Sequence, residues 1–131
     1  MIGIDTDILL RLWLNDDVAQ NERIDALLAQ HGSTPESLLV TDVVLAETVW
    51  TLQSAFDQDR AAQLLAIRSL LDEIAFAFED REGVRQAVEM FEQGICGFSD
   101  CLVAAKHARL GCDFTATFDR GMRTLPGVKL L

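Results

Sequence analysis

The chain has 131 residues, half of them hydrophobic, with a mean hydropathy of +0.18 and a formal net charge of −10. These values exclude a disordered polymer and fit one globular domain that can bury its own core. No apolar run reaches the roughly 18 residues of a membrane span, and no basic region precedes the first apolar stretch, so neither a transmembrane helix nor a signal peptide is expected.

In chain order, Met1 to Asp5 reads as a short buried strand, and Thr6 to Leu14 as a helix capped by Thr6 or Asp7. A second helix runs from Asp16 to about Gln30 and closes at the turn cluster HGSTPES. Leu38 to Thr41 reads as a strand, followed by helices over Asp42 to about Phe56 and Asp59 to Leu71. Ile74 to Phe78 is a third strand, followed by helices over Arg81 to about Gln93 and Ser99 to Leu110, the latter ended by Gly111. Phe114 to Phe118 and Gly127 to Leu131 are the last two strands. Strands alternating with helices, with no repeat or linker between them, predict a single α/β domain over residues 1–131. Its central, mostly parallel sheet should be covered by helices on both faces.

Cys96, Cys101 and Cys112 form no CxxC pair and are expected to be buried thiols in a reducing cytoplasm. His31 falls in a turn and His107 on a helix surface, and neither has a neighbour that suggests catalysis.

Ligands of such a sheet bind beyond the carboxyl ends of its strands. Four acids stand out there, or among apolar neighbours: Asp5 after the first strand, Glu47 in VVLAETVWTL, Asp100 in GFSDCLVAA and Asp119 in TFDR. Taken singly, Asp5 could cap a helix, Asp100 complement a helix dipole and Asp119 serve a turn. Glu47 resists such a reading, because a lone carboxylate on an apolar helical stretch is costly unless paired or bound to a cation. Asp7 and Asp42 are left to capping. Carboxylates that converge without basic partners repel one another, and hard divalent cations such as Mg²⁺ or Mn²⁺ relieve this with oxygen coordination. Bound cations would also reconcile the negative charge, which repels nucleic acid at long range, with a phosphodiester substrate.

The ordered stretches IGIDTDILL, VTDVVLAETVW and GFSDCLVAAKHARLGCDFTATFDRGM resemble the PIN-domain ribonucleases, and among them the VapC-type toxins of toxin–antitoxin pairs. On that resemblance, Asp5, Glu47, Asp100 and Asp119 match the family's four acids, and Thr6 and Thr117 its accompanying hydroxyls. Asp7 stands where Ser or Asn is more usual. The resemblance implies a PIN-like three-layer sandwich and Mg²⁺- or Mn²⁺-dependent endonucleolytic cleavage of RNA. It also implies a homodimer in the cytoplasm and inhibition by a cognate antitoxin that fills the acidic cleft.

Asp5 and Asp100 are then the expected main metal ligands, with Glu47 and Asp119 completing the site or orienting the attacking water. Arg11, Lys106, Arg109, Arg120 and Arg123 are candidate phosphate contacts by nearness in sequence. Trp13, Trp50 and Phe98 are candidates to stack a base, although core or dimer packing is the commoner use of such residues. Two other functions compete. A haloacid-dehalogenase-like phosphatase would use Asp5 as nucleophile, Asp7 as acid/base and Lys106 to bind phosphate, but it lacks a late acidic pair and leaves Glu47 unexplained. A non-catalytic protein-binding module would explain the acidic surface but not the four-acid set.

Overall fold

Three short apolar segments pair side by side in the computed structural model, which describes residues 1–94 and 96–131. Strands β1 (Ile2–Gly3), β2 (Leu38–Val40) and β3 (Phe76–Phe78) form a parallel ladder in the order β1-β2-β3, with Ile2 opposite Leu38 and Leu38 opposite Phe76. Two helices separate each strand from the next: α1 (Thr6–Leu14) and α2 (Val18–His31), then α3 (Asp42–Ser54) and α4 (Arg60–Asp72). Parallel pairing requires crossovers of this kind. Residues Met1–Glu79 make one compact unit. Its core includes Leu9, Leu38, Val40, Leu45 and Ile67, all fully buried, and a cluster of Leu10, Leu52 and Ala66 against which Trp13 and Leu14 pack.

Residues Asp80–Leu131 make the second unit. It contains α5 (Arg81–Glu92), α6 (Phe98–Arg109), β4 (Thr115–Thr117), a 3-10 turn (Arg120–Met122) and β5 (Val128–Leu130). Helices α5 and α6 share a buried face in which Phe91 and Phe98 meet edge to face, ring centroids 5.8 Å apart. Strands β4 and β5 are parallel, with Thr115 opposite Val128.

Among the described residues, the helices and strands stand where the periodicity places them, with ends displaced by at most two residues. The displacements have local causes. Asp17, not Asp16, caps α2 by accepting from Gln20 N, and Asp59 caps α4 from outside the helix by accepting from Ala62 N. The α1 cap is corrected too: Asp5 occupies it, and Thr6 and Asp7 are the first helical residues. Thr41 takes the α3 cap in place of Asp42. Asn15, at φ 49°, closes α1 in the left-handed conformation that Asn tolerates. The strand pairs are parallel as expected, but they form ladders of three and two strands instead of one five-stranded ladder.

One network ties the two helices of the second unit together. Asp80 caps α5 by accepting from Gly83 N at 3.2 Å, and it also accepts from Arg109 Nε at 2.6 Å and Lys106 Nζ at 3.4 Å, both on α6. The Arg109 hydrogen bond, more than the Lys106 charge, holds the Asp80 carboxyl down at about 2, against an ordinary value of 3.8. A carboxyl held low stabilises the fold while ionised, so its contribution is complete above about pH 4 and is lost as the pH falls toward 2. Asp80→Asn keeps a good capping residue and removes only the charge. Its melting temperature should lie a few degrees below the parent's at pH 7, with the gap closing near pH 2. A gap that stays constant across melts from pH 2 to pH 7 would assign the loss to packing instead.

Candidate functional site

In the first unit, β1 and β2 run parallel and each leads directly into a helix, so the starts of α1 and α3 lie at the same edge of the ladder. Asp5 occupies the α1 cap, yet its exposed carboxylate makes no capping hydrogen bond. Only its carbonyl serves the helix, accepting from Ile8 N at 3.1 Å. The carboxylate is thus available for other work. Next to it, Thr6 is only 6 % exposed, and its Oγ1 is buried without a hydrogen-bond partner. A residue at the first position of a helix has no preceding-turn carbonyl to receive its hydroxyl.

Glu47 lies on α3, which packs against α1. The sequence argument for it is corrected here, because Glu47 is exposed and its carboxylate is not buried. Leu45, Val49 and Leu52 turn one face of α3 inward, while Val43, Glu47 and Trp50 form a stripe on the opposite face. The carboxylate therefore pays no burial cost, and its interest lies in where it stands.

In the second unit, Asp100 occupies the first turn of α6 and is half-buried. Burial pushes its carboxyl above the ordinary value, and the charge of Asp119 pushes in the same direction. Asp119 caps the 3-10 turn by accepting from Gly121 N at 2.8 Å, while its own N–H donates to Thr117 Oγ1 at 3.0 Å. The expected turn role of Asp119 is present, then, and its charge still reaches Asp100. The four acids divide into two pairs, Asp5 with Glu47 in the first unit and Asp100 with Asp119 in the second.

The candidate cations are partly occupied. Arg11 is ion-paired with Asp16, and Lys106 and Arg109 with Asp80. Arg123 donates to the carbonyl of Arg120 at 2.8 Å, and Arg120 is exposed. Sequence spacing missed Asp80, which lies 26 residues from Lys106 and 29 from Arg109. Of the aromatic candidates, Phe98 is buried, Trp13 packs on the Leu10 cluster and Trp50 is 62 % exposed. His31 is the last residue of α2, not part of a turn, and His107 is half-buried with Nδ1 2.9 Å from Thr115 Oγ1. Of the cysteines only Cys101 is buried; Cys96 is half-buried, 3.5 Å from it sulfur to sulfur, and Cys112 is exposed.

The available donors are carboxylate and hydroxyl oxygens, the set that hard divalent cations prefer. Among the described residues, no three or more His, Cys, Asp or Glu side chains are gathered closely enough to hold a metal ion. The Thr6 hydroxyl is buried beside Asp5 and has no hydrogen-bond partner within the fold. A buried hydroxyl left unsatisfied costs about 1–3 kcal/mol. Thr6→Val should therefore keep or raise the melting temperature of the metal-free protein, by up to a few degrees, where a hydroxyl bonded within the fold would be missed. Thermal melts in EDTA distinguish the two.

A curated VapC ribonuclease of Aquifex aeolicus (strain VF5) is 24% identical over 122 residues, which cover 93% of this chain and 90% of that protein. The crystal structure of Mycobacterium tuberculosis VapC20, described as a Sarcin-Ricin loop cleaving toxin, aligns with a TM-score of 0.43 at 18% identity, covering 100% of this chain and 98% of that one. Residues 2–128, nearly the whole sequence, match the model of the PIN domain. The chain belongs to the PIN domain family.

Proposed function

We propose that the chain is a divalent-metal-dependent endoribonuclease and the toxin of a toxin–antitoxin pair, with its 131 residues acting as one domain. The reading is carried by the match of residues 2–128 to the PIN domain, with a named ribonuclease as a relative over 93% of the chain. The toxin role rests on the likeness of the acid order to VapC-type proteins.

In this reading Asp5 and Asp100 hold the ion, Mg²⁺ or Mn²⁺, and Glu47 and Asp119 complete the site. Bound there, the cation would neutralise the acids, accept phosphate oxygens and acidify water. The chain's own groups do the rest. The half-buried Asp100 carboxyl, already disfavoured as an anion, gains most from a neighbouring positive charge. Thr117 fixes the main chain of Asp119, and the bond from Gly121 N to Asp119 Oδ1 leaves Oδ2 for the site. Glu47, exposed on α3, serves as the base that orients water for in-line attack on the phosphodiester. Thr6 supplies a hydroxyl next to Asp5. Arg120 is the candidate phosphate contact least engaged elsewhere, and Arg11, Lys106, Arg109 and Arg123 contribute by exchanging present partners.

The partners are RNA, a second copy of the chain and a cognate antitoxin. An antitoxin Arg or Lys set against Asp5, Glu47 or Asp100 would silence the site by occupying its carboxylates. No helix among the described residues is long and apolar enough to cross a membrane, and the proposed place of action is the cytoplasm. The test offers purified protein a structured RNA and a phosphomonoester with Mg²⁺ or Mn²⁺, then adds EDTA. Internal RNA cleavage that stops with EDTA is expected. Turnover of the phosphomonoester with RNA left whole would replace this reading with a phosphatase.

A further inference from the structure

We infer that Trp50 is a base-stacking residue that holds the nucleotide beside the scissile phosphate, an assignment that rests on the ribonuclease reading above. Trp50 is 62 % exposed on α3, three residues after Glu47, and Val43, 73 % exposed, continues the same stripe. Side chains three residues apart on a helix have Cβ atoms about 5–6 Å apart. A strand whose phosphate reaches Glu47 is therefore within reach of laying a base on the indole. Of the two other aromatics named from the sequence, Phe98 is buried against Phe91 and Trp13 is half-buried on the Leu10 cluster.

Two further observations favour a nucleotide over an apolar protein surface as the occupant. An apolar protein face laid over Trp50 would also cover Glu47 and offer it no partner, and taking an unpaired carboxylate out of water is costly. RNA approaching a cation-loaded site meets the same carboxylate already neutralised. The second observation is charge. The chain carries −10, and three of its five candidate phosphate contacts, Arg11, Lys106 and Arg109, already pair with acids. A protein with so little positive charge to offer phosphates needs affinity from a source independent of charge. Stacking on an exposed indole is such a source, and it accepts any base.

The test uses the full chain and a short single-stranded RNA of mixed sequence, beside the same ribose-phosphate backbone lacking bases. RNA should quench tryptophan emission in the parent, and the quench should vanish in Trp50→Phe, which retains Trp13. Trp50→Ala should raise KM about 5- to 150-fold while kcat stays within about twofold, and Trp50→Phe should recover most of that loss. The abasic strand should lose the same factor with the parent and nothing further with Trp50→Ala. The melting temperature and sedimentation of Trp50→Ala should match the parent's. An unchanged KM, or an abasic strand bound as well as the intact one, overturns the assignment while leaving the ribonuclease reading standing. A changed oligomeric state with KM intact overturns it in favour of an interface between copies. A parent that neither cleaves nor binds RNA removes the ribonuclease reading, and the stacking role falls with it.

Discussion

Asp5→Asn and Asp100→Asn should each lower RNA cleavage by at least about a hundredfold and abolish growth inhibition on expression. Asn matches Asp in shape and volume, so the change removes one negative charge and little else. For Asp5 the fold should not notice, because its exposed carboxylate makes no capping hydrogen bond and its main-chain contacts remain. The capping reading of Asp5 predicts activity preserved, since Asn caps a helix about as well as Asp. The control is Glu89→Gln, an exposed acid on α5, which should leave cleavage within about twofold of the parent and shows that the loss is not a response to net charge. Cleavage rates and melting temperatures measured on the same preparations decide the matter. Either Asn variant cutting at the parent rate would take that acid out of the site.

Much of this was legible in the sequence because its causes are local. Thr6–Leu14 appears with the bounds read from the sequence, since an Asp at one end and an Asn at the other punctuate an unbroken helical pattern. What the sequence hid was mostly a matter of partners distant along the chain. No spacing rule connects Asp80 to Lys106 or Arg109, yet those two pairs remove two presumed phosphate contacts from easy service. Glu47 stands out in the sequence for a reason that the structure does not share. Its neighbours in sequence are apolar, but helical geometry sends Leu45 and Val49 inward and leaves Glu47 on the open face beside Trp50. The same periodicity, applied to residues 43, 47 and 50, would have exposed that stripe. Composition gives only a class average for cysteine burial, and Cys112, past the end of α6, is exposed. The unpaired Thr6 hydroxyl could not be foreseen, since a partner's absence is a property of packing and not of spacing.

Asp100→Asn should hold or raise the melting temperature in EDTA at pH 7, against the usual trend that substitutions destabilise. The sign follows from the environment of the carboxyl. Burial first, and then the charge of Asp119, raise its folded-state value above the ordinary one. A carboxyl raised on folding favours the native state below its unfolded value of about 3.9, and that advantage is lost as the pH rises through the folded value. At neutral pH without metal the parent therefore bears the whole cost of an ionised Asp100, and the Asn variant does not. The α6 dipole opposes this by favouring a negative charge in the first turn, typically by about 0.3–1 kcal/mol. The raised value means that burial and Asp119 outweigh whatever favours the anion. Millimolar Mg²⁺ should reverse the order. A ligand bound only by the folded state adds RT ln(1 + [L]/Kd), about 2.7 kcal/mol when present at 100 times Kd. The parent should gain several degrees and the variant, short of one ligand, much less. If Asp100 were only a dipole partner, the variant would melt lower in EDTA and neither protein would respond to the ion. Melts of both, with EDTA and with Mg²⁺ at pH 7 and again near pH 4, separate the two accounts. The low-pH pair is the sharper check, because the EDTA difference should shrink there as Asp100 takes up its proton in the parent.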